Sequence, residues 1–279
     1  MAKLYQYCTL ASRYDGAFGG PAGWPAAGMG YVIVTEGGQL IVIDGGHAED
    51  AAGLHRFLRE LSGQDTPTVS LWLLTHPHGD HIGALMAMPN TYPMHVERVV
   101  YDFPADYSAS SAQAAAQMQQ LCTAMGATVT KPKPDQHICI DGIDLHLLYT
   151  PAMGALPGHK NANVNFLSLI LQIKGSRKTA MITGDAYFPS LQVVLERYGA
   201  ALRSDILQFP HHGLCDSGHP GFYRTVAADT VLIPISVAGY RAMHDGTYED
   251  CQGAVWNAEA EQGATLVYKA FTGTVEFEI

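Results

Sequence analysis

The chain has 279 residues, of which 47% are hydrophobic and 15% charged, and its formal net charge is −10. This composition, with glycine and proline spread along the whole length, is typical of a folded globular protein and excludes a disordered chain. The acidic balance repels polyanions, so we expect no stable binding of long nucleic acids. Layered folds often reach this length as one unit, so we expect a single domain over residues 1–279.

The first half of the chain alternates predicted strands and helices. Two apolar stretches that flank Glu36-Gly37-Gly38 predict a hairpin, whose second strand ends at Asp44-Gly45-Gly46. Apolar residues at helical spacing predict a helix over 50–61, and the apolar run 69–74 predicts a buried strand. A strand, a helix and another strand are predicted to follow at 96–102, 108–125 and 127–130.

The second half begins with another predicted hairpin and continues mainly with strands. Its two strands, 137–140 and 143–149, flank Asp141-Gly142, and a loop follows from 151 to 163. Further strands are predicted at 166–173, 179–183, 206–209, 231–236, 265–269 and 275–279, and helices at 188–198, 221–227 and 248–262. Hairpins in both halves, with helices between them, predict an α+β fold of two facing sheets covered by helices, a four-layer αββα sandwich.

The strongest functional motif is His76-x-His78-x-Asp80-His81, which follows the predicted strand 69–74. Neutral imidazole and carboxylate groups suit Zn²⁺ or a similar divalent metal, and a tight turn at a strand end brings them together. The alternative is that the turn only caps a helix beginning near Ile82, for which Asp80 alone would be enough. We therefore predict a metal centre at this turn.

Together with three further segments, this motif resembles the metallo-β-lactamase superfamily. The matching segments are Asp44-Gly45-Gly46, His76 to His81, Thr183-Gly184-Asp185 and Pro210-His211-His212-Gly213. The resemblance implies two divalent metal ions, one bound by His76 and His78, the other by Asp80 and His81, with Asp185 bridging both. A late histidine would complete the second site, and Asp44 would orient the histidine turn through hydrogen bonds.

The identity of the late histidine stays open, because His211 and His212 both follow a predicted strand end. We slightly favour His211 as the ligand, with His212 as a group that supports a ligand or transfers a proton. The last ligand of the first site is also open. It is either His159 or one of the asparagines before the next strand, which are Asn161, Asn163 and Asn165.

A narrower resemblance is carried by four segments in order along the chain. They are the asparagine-rich approach to Ser168-Leu169-Ile170-Leu171, then Thr183-Gly184-Asp185-Ala186, His211-His212-Gly213 and Pro234-Ile235-Ser236-Val237. These segments resemble the hydrolase domain of the bacterial competence DNA-uptake channel, here without the channel's membrane helices. The chain departs from that pattern at Met243-His244-Asp245, where no proline follows the histidine. His244 is therefore either a catalytic pocket residue, alongside Asp80, or a surface loop residue.

The expected reaction is hydrolysis by a metal-bound hydroxide, since no Gly-x-Ser-x-Gly segment or recognisable cysteine nucleophile motif is present. The narrower resemblance implies a phosphodiester or related phosphate ester, and the acidic charge favours a small, nucleotide-like substrate. A lactone, β-lactam or thioester is the alternative, since the same hydroxide attacks acyl carbons. A metal-free interaction module is a further alternative.

We expect Zn²⁺ at both sites, with Mn²⁺ or Fe as alternatives. The five cysteines are widely spaced, without a Cys-x-x-Cys pair, which argues against a disulfide framework. The start of the sequence lacks an apolar segment of signal-peptide length, and the other apolar runs have only the length of strands. These features predict a cytoplasmic protein that does not enter a membrane.

Overall fold

The computed structural model describes residues 1–15, 28–89, 91–153, 163–213, 218–244 and 264–279. Two β-sheets form the centre of this part of the molecule. The first sheet contains β1 (Lys3–Gln6), β2 (Gly30–Val34), β3 (Leu40–Asp44), β4 (Thr68–Leu73), β5 (His95–Val96), β6 (Arg98–Val100), β7 (Thr128–Thr130) and β15 (Val275–Glu278). The strand order is β15-β1-β2-β3-β4-β6-β7, and β5 also pairs with β4.

The second sheet contains β8 (His137–Ile140), β9 (Ile143–Tyr149), β10 (Ile170–Lys174), β11 (Thr179–Ile182), β12 (Ile206–Gln208), β13 (Thr230–Ile233) and β14 (Leu266–Lys269). Its strands follow one another in the order β14-β13-β12-β11-β10-β9-β8. In each sheet a parallel pair, β3 with β4 and β11 with β12, brings two carboxyl ends to the same edge. The segments that carry the predicted ligands leave the sheets at these ends.

Helices cover the outer faces of both sheets. They are α1 (Ala51–Ser62), α2 (Gly79–Ala87), α3 (Ala109–Met125), α4 (Phe188–Tyr198), α5 (Pro220–Val226) and α6 (Val237–His244). Leu54 of α1, Leu85 of α2 and Met118 of α3 share one hydrophobic cluster with Trp72 of the first sheet. Leu191 of α4 and Phe222 of α5 belong to the corresponding cluster on the second sheet. None of the helices in the described ranges is long and apolar enough to span a bilayer.

The main core lies between the two sheets. Side chains alternate across a strand, so Ile41 and Ile43 of β3 face this core while Leu40 and Val42 face the helices. Leu145 of the second sheet belongs to the same central cluster. Both faces of β3 are buried, which explains why the strand has a continuous apolar sequence. The four-layer αββα sandwich is confirmed.

Several elements differ from the predictions, among them α6 (Val237–His244), which was not predicted. The strand predicted at 166–173 begins only at Ile170, because Val164–Leu167 forms a 3₁₀ turn. The side chain of Asn163 caps this turn by accepting a hydrogen bond from the backbone N–H of Asn165 at 3.1 Å. The terminal strand β1 was missed, although it pairs with both β2 and β15. The helix predicted at 248–262 lies outside the described residues.

Candidate metal centre

The histidine-rich turn joins β4 to α2, so its side chains are held between a strand end and the first turn of a helix. His78 precedes the helix with extended backbone angles, and α2 begins at Gly79. Asp80 and His81 therefore lie on the first helical turn, whereas His76 and His78 lie on the preceding loop. Nε2 of His76 lies 3.0 Å from Nδ1 of His78. This separation allows the two nitrogens to face one ion.

Asp44 orients this turn from the end of β3. Its Oδ1 accepts the backbone N–H of Thr75, and its Oδ2 accepts the Thr75 hydroxyl, both at 2.8 Å. Oδ2 also lies 2.8 Å from Nδ1 of His81. All three residues are buried. The contact with Nδ1 leaves Nε2 of His81 directed toward the other candidate ligands, which is the orienting role predicted for Asp44.

Asp185 follows β11 and lies between the two groups of histidines. Its backbone N–H donates to the hydroxyl of Ser168 at 3.1 Å. Its Oδ2 lies 3.6 Å from Nε2 of His76, and its Oδ1 lies 3.3 Å from Nε2 of His81. The preceding Gly184 has φ of +53°, and a Cβ there would lie 2.9 Å from Cβ of Thr75. A glycine is therefore needed to bring the second sheet this close to the histidine turn.

Of the two late histidines, His212 reaches the other candidate ligands. Its Nδ1 donates to the carbonyl of Pro234 at 2.5 Å, while its Nε2 lies 3.1 Å from Oδ2 of Asp80 and 3.5 Å from Oδ1 of Asp185. Nε2 of His211 lies 4.0 Å from Asp185 Oδ2, and its ring packs against the ring of Tyr187. The geometry favours His212 over the slightly preferred His211, since of the two only His212 belongs to a candidate ligand group of the described residues.

Two groups of side chains in the described residues have the spacing of metal ligands. One contains Asp80, His81, Asp185 and His212, and the other contains His76, His78 and Asp185. Within each group the donor atoms lie within 4.8 Å of one another. We call the His76, His78 and Asp185 group the first cluster, and the other group the second cluster. Asp185 belongs to both, which is the arrangement expected of a bridging ligand.

The chemistry of the donors fits divalent metal ions. Nε2 of His81, Nε2 of His212 and Oδ1 of Asp185 are buried without a hydrogen-bond partner in the described structure. Buried polar atoms are normally paired, so three unpartnered donors that converge on one point indicate a bound cation. Nitrogen and carboxylate oxygen donors are ligands that Zn²⁺ and related metals prefer. The clusters and their chemistry imply divalent metal ions.

The electrostatics of the second cluster hold its histidines in their charged form in the absence of metal. Burial lowers the pKa of His212, but the nearby Asp185 and Asp80 carboxylates outweigh it and raise the pKa to about 10. For His81, burial is likewise outweighed by Asp185, Asp80 and Asp44, which raise its pKa well above the ordinary value. In the first cluster, burial and the charge on His81 hold the pKa of His76 well below its ordinary value.

His159 and Asn161 lie outside the described residues, and so does the side chain of His244, the last residue of α6. Asn163 and Asn165 are described, and the amides of both donate to the hydroxyl of Tyr187, at 3.0 and 2.9 Å.

Three residues near the centre have roles that were not predicted from the sequence, namely Thr75, Ser168 and Tyr187. Thr75 directly precedes the histidine motif, and Ser168 lies in the segment that leads into β10. Their hydroxyls meet Asp44 and the backbone of Asp185 only through tertiary packing. Tyr187 had a local signal, since it lies two residues after Asp185 at the start of α4.

Comparison with known proteins supports these assignments at the level of family and fold. The family model described as "Metallo-beta-lactamase superfamily" matches residues 24–217. No curated protein matches the chain in sequence. Among solved structures, Tm1679, a metal-dependent hydrolase of the beta-lactamase superfamily, is similar with a TM-score of 0.58 and 13% identity, over 100% of this chain and 99% of that chain.

Two other solved structures share the fold. Zn²⁺-bound PqqB from Methylobacterium extorquens has a TM-score of 0.57 and 9% identity, over 99% of this chain and 100% of that chain. CmlA, a diiron β-hydroxylase from Streptomyces venezuelae, has a TM-score of 0.57 and 11% identity, over 99% of this chain and 54% of that chain. Identities this low establish a common fold and leave the reaction to be argued from the side chains.

Proposed function

This chain belongs to the metallo-β-lactamase superfamily, and on that premise we propose that it is a binuclear metal-dependent hydrolase of a small phosphodiester or related phosphate ester. The observation that carries the proposal is the position of Asp185, whose two carboxylate oxygens face different histidines, His76 on one side and His81 on the other. One carboxylate shared by two ligand clusters suits a pair of neighbouring cations.

The protein's own groups would hold and separate the two cations. His76, His78 and Asp185 would bind one of them, and Asp80, His81, Asp185 and His212 the other. When bound, the pair would lower the pKa of water toward neutrality and stabilise negative charge on the attacked group. Asp44 is hydrogen-bonded to Nδ1 of His81, and the Pro234 carbonyl to Nδ1 of His212. Both imidazoles therefore present Nε2 to the centre.

Charge supports a phosphate ester as the substrate. The chain carries a formal net charge of −10, so an anionic substrate is attracted only where positive charge is concentrated. Two divalent cations would supply that charge locally. The resemblance of the Ser168, Asp185 and His212 segments to the competence-channel hydrolase domain points to the same class of substrate. The acidic charge and this resemblance favour a nucleotide-sized phosphodiester over long DNA.

The proposal is tested by comparing phosphate and acyl substrates on one preparation. The metal-free protein and the protein loaded with Zn²⁺, Mn²⁺ or Fe²⁺ would be assayed with bis-p-nitrophenyl phosphate, p-nitrophenyl acetate and a simple lactone. We expect metal-dependent release of p-nitrophenol from the phosphodiester, with much slower turnover of the acyl substrates. Activity confined to the acyl substrates would overturn the phosphodiester assignment and establish the acyl hydrolase instead.

A matched pair of variants would distinguish loss of catalysis at the metal centre from a general loss of folding. Asp185→Asn removes the shared carboxylate and should abolish phosphodiester cleavage. Asp205→Asn alters another carboxylate, at the residue before β12, which accepts hydrogen bonds from Thr179, and this variant should retain activity. Less than one equivalent of metal per wild-type chain, after loading and removal of the excess, would contradict the hydrolase and favour the metal-free interaction module.

A further inference from the structure

The segment that leads into β10 is held directly against the metal centre. Ser168 accepts the backbone N–H of Asp185 at 3.1 Å, and the backbone N–H of Leu169 donates to the carbonyl of Thr75 at 3.0 Å. These contacts connect the segment to both ligand-bearing edges. The backbone N–H of Ser168 also donates to the carbonyl of Asn165 at 3.0 Å, so Asn165 lies one 3₁₀ turn before these contacts.

Asn165 is fully buried, at 0% exposure, and its two amide atoms have different surroundings. Its Nδ2 donates to the hydroxyl oxygen of Tyr187 at 2.9 Å. Its Oδ1 is buried and has no hydrogen-bond partner in the described residues. A buried acceptor without a partner is unfavourable unless a ligand or ion occupies it. Asn165 therefore presents an amide oxygen whose partner is not a protein group of the described structure.

The neighbouring Asn163 is different, although it contacts the same hydroxyl. Its Nδ2 donates to Tyr187 at 3.0 Å, but its Oδ1 already accepts the backbone N–H of Asn165 at 3.1 Å. Asn163 is also exposed, whereas Asn165 is not. Of the two asparagines, only Asn165 has an oxygen that is both buried and free to accept a ligand.

The shared hydroxyl connects Asn165 to one particular side of Asp185. The ring of Tyr187 packs against the edge of His211, with 5.1 Å between ring centroids. Nε2 of His211 lies 4.0 Å from Oδ2 of Asp185, the same oxygen that lies 3.6 Å from Nε2 of His76. Tyr187 and His211 therefore connect Asn165 to the side of Asp185 that faces His76, in the first cluster. Among the described residues, this cluster has three ligand groups where the second cluster has four.

We propose that Asn165 supplies its amide oxygen as the fourth protein donor of the first cluster, and that Tyr187 is a positioning residue that fixes which end of the amide faces the ion. The inference rests on the metal dependence of the proposed function, but not on its substrate. An oxygen donor in place of a third imidazole makes this cluster more suitable for a harder ion such as Mn²⁺ than a site with three histidines would be.

The test measures metal binding directly, without an activity assay. Metal-free protein would be titrated with Co²⁺, followed by visible absorption, and with Zn²⁺ and Mn²⁺, followed by calorimetry. Wild type should bind two equivalents. Asn165→Leu should weaken one of the two binding steps and change the absorption of that Co²⁺ ion. Tyr187→Phe should weaken the same step by about 10- to 100-fold, the usual effect of removing a group that orients a ligand, and by less than Asn165→Leu.

Two carboxylate variants serve as matched controls for charge and folding. Asn165→Asp keeps an oxygen at the same place and should tighten the affected step. Asn163→Asp adds the same charge beside the same hydroxyl and should change that step much less. Thermal unfolding of each metal-free variant would identify any that fail to fold, and Asn165→Asp gives the answer if Asn165→Leu is one of them.

Several outcomes would overturn the inference while leaving the hydrolase proposal intact. If Asn165→Leu binds two ions with wild-type affinity and absorption, Asn165 is not a ligand. The same conclusion follows if both aspartate variants tighten binding equally, since that is a charge effect alone. A loss of one binding step in His159→Ala, without a loss in Asn165→Leu, would assign the position to His159. By contrast, failure of the wild type to bind metal would contradict the proposed function itself.

Discussion

Oδ2 of Asp44 lies 2.8 Å from Nδ1 of His81, and neither side chain is accessible to solvent. The contact fixes the face that His81 presents to the centre, because an imidazole held at Nδ1 can bind metal only through Nε2. Asp44 also accepts both hydrogen bonds of Thr75, so one carboxylate organises the start of the whole histidine turn. Its backbone is left-handed, with φ of +56°.

Replacement of Asp44 by Asn should weaken metal binding while the chain still folds. Asparagine tolerates the left-handed backbone. Its amide has only one oxygen, however, and cannot accept all three hydrogen bonds that the two carboxylate oxygens of Asp44 accept. We expect metal affinity to fall by about 10- to 100-fold, measured by calorimetry. Asp50→Asn is the control, because that buried carboxylate accepts backbone N–H groups of Leu10 and His47 and belongs to neither cluster. Equal affinity in Asp44→Asn and wild type would contradict the orienting role.

Substitution of His212 should lower the metal content of the protein, whereas substitution of the adjacent His211 should not. His212→Asn should remove the ion of the second cluster, leaving about one equivalent per chain by metal analysis. His211→Asn should retain both ions, because His211 lies outside both clusters. Asparagine is chosen because both positions are left-handed, with φ of +47° at His211 and +53° at His212. If His211→Asn lost an ion and His212→Asn did not, His211 would be the ligand instead of His212.

Metal affinity at the second cluster should rise with pH over a wide range. The pKa of His212 is raised to about 10, so metal must displace a proton from this imidazole at neutral pH. The pKa of His76 is lowered instead, so the first cluster should show little change above neutrality. Calorimetry in buffers of different ionisation enthalpy would count the protons released. No proton release at pH 7 would contradict the charged state of His212.

The same raised pKa predicts the pH dependence of stability in the metal-free protein. Because His212 binds its proton more tightly in the folded state, its stabilising effect is complete below about pH 6.5, the ordinary histidine value. The effect is then lost as pH rises through about 10. The thermal unfolding temperature of the metal-free protein should therefore decrease as the pH is raised from about 6.5 to about 10. The decrease should be smaller in His212→Asn.

The sequence was sufficient for those parts of the centre that are local in the chain. Strand and helix periodicity predicted the layers, and the six-residue motif predicted which side chains of the turn face the clusters. The choice between His211 and His212 could not be predicted, because two consecutive left-handed residues determine which ring turns toward Asp80. Tyr187 and Asn165 are 22 residues apart in the sequence and come together only in the folded structure. Their hydrogen bond therefore could not be predicted from the spacing of residues in the sequence.

Gly184 provides a last test, because it holds the second sheet close to the histidine turn. Gly184→Ala places a Cβ 2.9 Å from Cβ of Thr75, in addition to a left-handed backbone that costs about 1–2 kcal/mol for alanine. Gly142→Ala has the same kind of backbone, with φ of +82°, but no atom within 4 Å of the added Cβ. The backbone cost is thus similar in the two variants, and the contact with Thr75 is the difference between them.

Both variants should lower the unfolding temperature, but only Gly184→Ala should lose metal. To relieve the contact, either Thr75 must move away from Asp44 or Asp185 must move away from Ser168. Each shift moves Asp185 and the histidines of the turn apart. Metal analysis after dialysis against a weak chelator would measure this loss at temperatures where both variants remain folded. Equal metal retention would show that the close approach at Gly184 serves packing alone, since the ligand geometry would then have survived the displacement of one sheet from the other.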